Sequence, residues 1–379
     1  MGKRLTSRNN LAFTGWRAIL DRYLPLLNNR SKLRFTVTTI FLFLSSLGIS
    51  LSIAACSSTP PPVSSGDAQT IKLNLVSFSV TEAAHEKIIP KFVEKWKQEH
   101  NQTVTFETSY GGSGAQTRAV IEGGQEADIV HLSLVPDVRK LEQAGFIQPG
   151  WEQEFPDNSV VSRSVVAIVT REGNPKNIKT WADLTKEGTT VITPNPKNSG
   201  GARWNFLALW NAALKADGSE AETLAYVTRV YKNAPVLPET AREATEAFFA
   251  NKQGDVLLTY ENEVILKALN GEKLPYFVPE VNFSIDNPVA IVDRNVDNHG
   301  TREVAEAFVN FLYTPEAQEE LVKIGYRPAN SSLVQNKSLV EQYPIVKSLA
   351  TAKDYGDWTE IQNKFFADRA IFDKVLSER

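Results

Sequence analysis

The chain has 379 residues, of which 42% are hydrophobic and 22% charged, with a formal net charge of −3. Those proportions belong to an ordinary globular protein and exclude a disordered or fibrous one. The length suits two domains, and the absence of any fixed-period repeat excludes a solenoid or propeller.

In chain order, the N-terminus comes first. Residues 1–34 carry eight basic side chains (Lys3, Arg4, Arg8, Arg17, Arg22, Arg30, Lys32, Arg34) against one acid, Asp21, and residues 35–55 are uncharged and largely apolar. A basic segment before an apolar run has the form of a secretory signal. The run is also long enough to cross a bilayer, so a single-pass anchor is the alternative reading. Ile53-Ala54-Ala55-Cys56 resembles the bacterial lipobox, in which the cysteine thiol takes a diacylglyceryl group and becomes the new N-terminus. Residues 57–66, rich in serine and proline, read as a flexible tether, so residues 1–55 are expected to be a leader and 56–70 a linker. Cys56 is the only cysteine, so no internal disulfide forms and the fold rests on its core. Removing the leader, net +7, leaves 324 residues with a charge near −10. A surface this acidic argues against nucleic-acid binding.

The mature part alternates strand and helix patterns. Residues 71–78 alternate as a strand, and residues 83–100 carry helical spacing, expected to break early at Pro90. Strands are expected at 103–107, 128–132, 165–169, 190–192, 255–260 and 289–292. Helices are expected at 115–122, 202–216, 241–251 and 302–312. Repeated strand–helix units imply an α/β fold of parallel-rich sheets covered on both faces. Ligands in such folds sit beyond the carboxyl ends of strands, where loops enter helices.

Three loops share one physical design: Thr108-Ser109-Tyr110-Gly111-Gly112-Ser113-Gly114-Ala115, the stretch Pro194 to Trp204 containing Asn198-Ser199-Gly200-Gly201-Ala202-Arg203, and Leu237-Pro238-Glu239-Thr240-Ala241-Arg242. Each leads into the first turn of an expected helix. A helix start offers unpaired N–H groups and a partial positive charge, which together bind an anion without a charged side chain. Glycine allows close approach and positive φ, and serine adds a hydroxyl donor and an N-cap. Taken singly, each loop is also an ordinary turn and cap. Arg203 and Arg242 fall inside first helical turns and read as structural ion-pairing residues.

Gly111-Gly112-Ser113-Gly114-Ala115 also approximates the nucleophile elbow of an α/β-hydrolase, with Ser113 as nucleophile. That chemistry needs a histidine base, and His299 is the only late candidate. The elbow's last position is Ala115 instead of glycine, and the second glycine loop has no role in this reading. No Gly-Lys-Ser/Thr ends a glycine loop, and no paired His/Cys spacing suggests a metal or other cofactor.

The run Ile192-Thr193-Pro194-Asn195-Pro196-Lys197-Asn198-Ser199-Gly200-Gly201-Ala202-Arg203-Trp204-Asn205 closely resembles the bacterial sulfate- and thiosulfate-binding proteins of ABC importers. So do Tyr110-Gly111-Gly112-Ser113-Gly114, Asp157-Asn158-Ser159, Gly254 to Glu263 and Tyr326-Arg327-Pro328. The resemblance spans about residue 71 to near the C-terminus. It implies a two-lobed class II periplasmic-binding-protein fold with a hinged cleft, one lobe from residues 71–160 plus about 285–345 and the other from 161–284. Residues 346–379 would pack on the lobes as helices. It implies a non-enzymatic periplasmic monomer that delivers a dianion to a permease with its ATPase, and with the lipobox at Cys56 a lipid anchor to the membrane is expected. In that family a dehydrated sulfate is held by neutral donors only. The matching positions here are Ser113, Ser199, Gly200, Gly201 and Ala241. Ser79 stands where the family has an aspartate donating through its backbone amide, and Tyr260 replaces an indole N–H donor. A phenol also donates, with a different reach. The ligand set does not separate sulfate from thiosulfate or molybdate. A donor-only pocket suits an anion without a proton, whereas hydrogen phosphate brings a proton needing an acceptor, and a buried unsatisfied group costs about 1–3 kcal/mol.

Overall fold

A computed structural model describes residues 70–379 apart from residue 217. The leader, the lipidation site at Cys56 and the tether up to residue 69 lie outside the described residues. Thr70, expected to end the tether, is the first residue of strand β1.

The first sheet has six strands in the order β11-β4-β10-β3-β1-β2. They are β1 (Thr70–Phe78), β2 (Thr103–Gly111), β3 (Ile129–His131), β4 (Val160–Ser164), β10 (Ile285–Ile291) and β11 (Arg327–Pro328). β1 pairs in parallel with β2 and β3, while β10 runs antiparallel to β3 and β4, and β11 antiparallel to β4. The second sheet has the order β6-β7-β5-β8, from β5 (Val166–Thr170), β6 (Val191–Ile192), β7 (Val256–Tyr260) and β8 (Tyr276–Phe277). Here β6 and β7 are parallel, and β5 is antiparallel to both β7 and β8. The sheets are therefore mixed, not parallel-rich as the strand–helix alternation suggested. The physical reason is that the chain passes from one sheet to the other and returns, so returning strands enter from the opposite end.

The first passage is at Val165, between β4 and β5, so residues 161–164 belong to the first sheet. The return is at Ser284, between β9 (Val281–Phe283) and β10. Asn282 ties the two passages together. Its buried amide accepts from Val166 N at 3.1 Å and donates to Val166 O at 2.8 Å, imitating a strand pair where no ladder runs.

Helix α1 (Glu82–His100) is continuous through Pro90, which corrects the expected break. Pro90 and Glu86, the residue whose carbonyl loses its partner, are both exposed, so water replaces the missing bond. The buried stripe of α1, Ile88, Phe92 and Trp96, packs on the first sheet, with Phe92 edge-on to Phe308 at 5.1 Å. Beside the second sheet lies helix α4 (Gly200–Lys215), buried along nearly its whole length. The C-terminal stretch opens with strand β12 (Ser348–Ala350), paired with β9, before its helices. Trp358 then meets Trp204 at 5.0 Å, and Phe365, Phe366 and Phe372 all surround Phe206. The Asp157-Asn158-Ser159 stretch is a run of three left-handed residues, with Asp157 paired to Arg163.

Candidate solute-binding site

The carboxyl ends of β1, β2 and β3 each lead directly into a helical turn. β1 leads to the short turn Ser79–Thr81, β2 to helix α2 (Ser113–Ile121) and β3, through Ser133, to helix α3 (Val135–Gln143). From the second sheet, two further helices begin at the same place: α4 and α6 (Ala241–Phe249), with α5 (Glu220–Lys232) between them in the chain. Ser199 caps α4, its Oγ accepting from Ala202 N at 3.3 Å, and Thr240 caps α6, accepting from Glu243 N at 3.0 Å. The first-turn amides of Gly200, Gly201 and Ala241 have no carbonyl partner within their helices.

Glycine makes the convergence possible. A Cβ at Gly112 would lie 2.7 Å from Asn198 O, and one at Gly200 would lie 2.5 Å from Ser133 Oγ. At Gly201 it would lie 2.7 Å from Tyr260 Cε2 and 3.0 Å from Ala241 Cβ. None of these glycines has positive φ, so the requirement is close approach alone. Ser113, Ser199, Gly200, Gly201, Ala241 and Tyr260 therefore meet in one buried place between the sheets. Ser79 is buried in its turn, and that turn packs against α6, the helix that Ala241 begins.

Two side-chain networks line this place. In the first, Ser113 Oγ donates to Asp137 Oδ2 at 2.8 Å and accepts from Ser133 N at 3.1 Å. Lys140 is 3.1 Å and Arg203 3.8 Å from the other Asp137 oxygen. Burial pushes the Asp137 carboxyl up, but Arg203, Lys140 and the Ser113 hydroxyl outweigh it and hold it below the usual carboxylate range. In the second, Ser133 Oγ is 2.8 Å from the Tyr260 hydroxyl and accepts from Trp204 Nε1 at 3.1 Å. Burial pushes the Tyr260 phenol up, so it stays neutral.

Three guanidinium groups lie nearby, each already engaged, and Arg118 donates to Asn198 Oδ1 at 3.0 Å. Arg203 donates to Pro196 O at 2.9 Å and Gln362 Oε1 at 3.3 Å. Arg242 grips the buried Glu263 carboxylate with two bonds, of 3.0 and 2.9 Å. Apart from these paired charges and the Asp137 carboxylate, what lines the site is neutral: amides and hydroxyls.

Residues 73–327 match the family model of the bacterial extracellular solute-binding proteins. The chain is 51% identical over 325 residues to the sulfate-binding protein of Synechococcus elongatus, covering 86% of this chain and 92% of that one. The chain belongs to the bacterial extracellular solute-binding proteins. It is also 34% identical to the thiosulfate-binding protein of Pseudomonas aeruginosa, over 80% of this chain and 91% of that one. Among solved structures, the sulfate-binding protein SubI from Mycobacterium tuberculosis superposes with a TM-score of 0.71 at 33% identity, covering 78% of this chain and 99% of that one. The two-lobed α/β architecture follows.

In this solute-binding protein the hydrolase alternative fails on geometry. Ser113 meets a carboxylate, not an imidazole. His299 Nδ1 is instead 2.7 Å from Asp128 Oδ1, which precedes β3, while Ser113 bonds to Ser133, which follows β3. The strand separates the two.

Sequence reasoning missed three groups of site residues. Ser133 and Asp137 had a usable signal, because an expected strand ending at residue 132 is followed by Ser133 and then Pro136 within a first helical turn, a fourth helix entry. Trp204 was read only as part of a motif. His85 and His131 had no signal. They are fully buried, with His85 Nε2 3.1 Å from His131 Nδ1 and His85 Nδ1 3.2 Å from the Tyr110 hydroxyl. Burial holds His131 down at about 3, and burial together with its neighbour holds His85 well below the usual range.

Proposed function

We propose that this protein is the sulfate-capturing component of an ABC import system, holding the dehydrated dianion between its lobes with neutral donors. The proposed donors are the backbone amides of Ser79, Gly200, Gly201 and Ala241, the hydroxyls of Ser199 and Tyr260, and the hydroxyl of Ser113, whose single hydrogen turns from Asp137 to the anion on binding. The observation that carries the reading is the meeting of helix N-termini from both sheets at one point, two of them capped by Ser199 and Thr240, with glycines that allow contact too close for any Cβ. Helix starts stabilise an anion locally. That local effect is needed, because the mature chain is acidic and its overall charge repels sulfate. The relatives named for sulfate and thiosulfate support the same ligand class, and thiosulfate and molybdate are the nearest competitors.

Asp137 does not reverse the donor logic. Lys140 and Arg203 balance its charge, whether or not the Ser113 hydrogen is turned toward it. We propose that the lobes hinge at residues 164–166 and 282–285, where two extended passages and the Asn282 clamp join the sheets. Binding then closes the hinge over the ligand, and a membrane permease with its ATPase receives the closed form. Upstream, we propose that Cys56 is acylated and tethers the protein to the membrane on the outer side. Saturating sulfate should raise the thermal midpoint and compact the protein in small-angle scattering, as a ligand binding only the closed state requires. A scattering profile and midpoint both unmoved by sulfate would overturn the reading.

A further inference from the structure

Tyr260 stands where the resembling family places an indole, and an indole has one fixed hydrogen. A phenol has a hydrogen that rotates, so something must aim it. The neighbour that does so is Ser133. Its Oγ is 2.8 Å from the Tyr260 hydroxyl, and both groups are buried. Trp204 Nε1 donates to Ser133 Oγ at 3.1 Å and to Ser133 O at 3.0 Å, which fixes the serine from behind. The pair also lies over the start of α4. An added Cβ at Gly200 would be 2.5 Å from Ser133 Oγ, and one at Gly201 would be 3.2 Å from the Tyr260 hydroxyl. The two oxygens therefore lie against the same two glycines that head the anion cradle.

The hydrogen count decides what the pair offers. Ser133 and Tyr260 bring two hydroxyl hydrogens. One is used in the bond between them, whichever atom donates. The indole N–H of Trp204 occupies one acceptor position on Ser133 Oγ, which directs the serine's single hydrogen away from Trp204. One hydroxyl hydrogen is left over, and neither oxygen has a second acceptor among the described residues.

We propose that Ser133 is a positioning residue that couples with Tyr260 into one hydroxyl unit, supplying a single hydrogen bond to the bound oxyanion. The inference rests on the oxyanion-binding reading above and goes beyond it, because it makes Ser133 interchangeable with Tyr260 as the source of that hydrogen. If the tyrosine hydroxyl is removed, the serine hydrogen is freed for the anion. If the serine hydroxyl is removed, the phenol hydrogen is freed. Trp204 keeps its second acceptor, the backbone oxygen of residue 133, in either case.

The test is a double-mutant cycle on sulfate affinity by calorimetry, with Ser133→Ala, Tyr260→Phe and the two combined. Each single change is expected to weaken binding by no more than about threefold. The double change is expected to weaken it by about tenfold or more, the loss of one hydrogen bond to a charged group. The ligand-free thermal midpoints serve as a control, since a merely structural role would lower them without coupling in affinity. If the double variant does not fold, Ser133→Cys in the Tyr260→Phe background keeps the shape and substitutes a weak S–H donor. It should show the same excess loss. Losses that simply multiply, or a silent Ser133→Ala beside a full loss in Tyr260→Phe, would overturn the coupling. Those outcomes leave sulfate binding by the unaltered protein intact, whereas an unaltered protein that binds no sulfate refutes the functional reading itself.

Discussion

Replacing Gly200 by alanine puts a methyl group 2.5 Å from Ser133 Oγ and 2.6 Å from Ser133 Cβ, and 3.2 Å from Leu134 Cγ. Ordinary carbon contacts are about 3.5–4.0 Å, so the overlap is about 1 Å. Gly200 begins a helix of the second lobe, and Ser133 follows a strand of the first. Ser133 does not swing aside without losing Trp204 and Tyr260. The overlap is relieved by holding the lobes about 1 Å apart. Donors at hydrogen-bond distance then lose contact with an anion held on the opposite lobe. Losing one or two charge-assisted bonds costs about 2–5 kcal/mol, or about 30-fold to several thousand-fold in affinity. In the proposed open form the contact is relieved, and alanine favours a helix over glycine, so the ligand-free thermal midpoint should hold or rise slightly. The assay is calorimetry with sulfate beside a melting curve with and without sulfate. A Gly200→Ala protein that binds sulfate as tightly as the unaltered one would refute both the wedge and the placement of the site between the lobes.

Other outcomes follow from the same geometry. Ser113→Ala and Ser199→Ala should each weaken sulfate binding by about 10- to 100-fold in calorimetry. Ser199→Ala should also lower unfolding free energy by about 1 kcal/mol through the lost cap. Arg242→Ala should destabilise the fold by about 3–5 kcal/mol in urea, because it strands the buried Glu263 carboxylate. A loss below about 1 kcal/mol would contradict the pairing. His85 and His131 are held below their usual range, so the unfolded chain binds protons that the folded chain refuses. Stability is then complete above the ordinary histidine value near 6.5 and falls as pH drops below it, by about 1.4 kcal/mol per pH unit per histidine, toward about 3 for His131. Urea unfolding at pH 7.5, 6 and 5 should show this slope, and His131→Gln should flatten it. An unchanged slope would contradict the burial of His131. Cys56→Ser should release the protein from the membrane fraction if Cys56 carries the lipid, and fractionation with mass spectrometry checks it.

Much of the fold was readable where the signal is local. The helix at residues 302–312 was expected at its observed bounds, because its apolar positions repeat with helical period. The Ser199-Gly200-Gly201 run placed the start of α4 to within two residues. Pro90 misled because proline's cost depends on whether the freed carbonyl reaches water, which sequence does not state. The antiparallel entry of β10 beside β3 was not readable, since nothing local at residues 285–291 records that the chain has returned from another sheet. Helix α5 was missed despite its Ser219 and Glu222 capping box. At the site, motif residues were legible one loop at a time. Ser133 was not, because its importance comes from Trp204 and Tyr260, 71 and 127 residues further along the chain.

The most direct measurement is a calorimetric titration of the mature protein with sulfate, thiosulfate, molybdate and phosphate at neutral pH. A pocket of neutral donors predicts tight one-to-one binding of sulfate, comparable or weaker binding of the two related dianions, and phosphate weaker than sulfate by at least about tenfold, the cost of one unsatisfied buried group. Phosphate bound as tightly as sulfate, or no heat with any of the four, would contradict it.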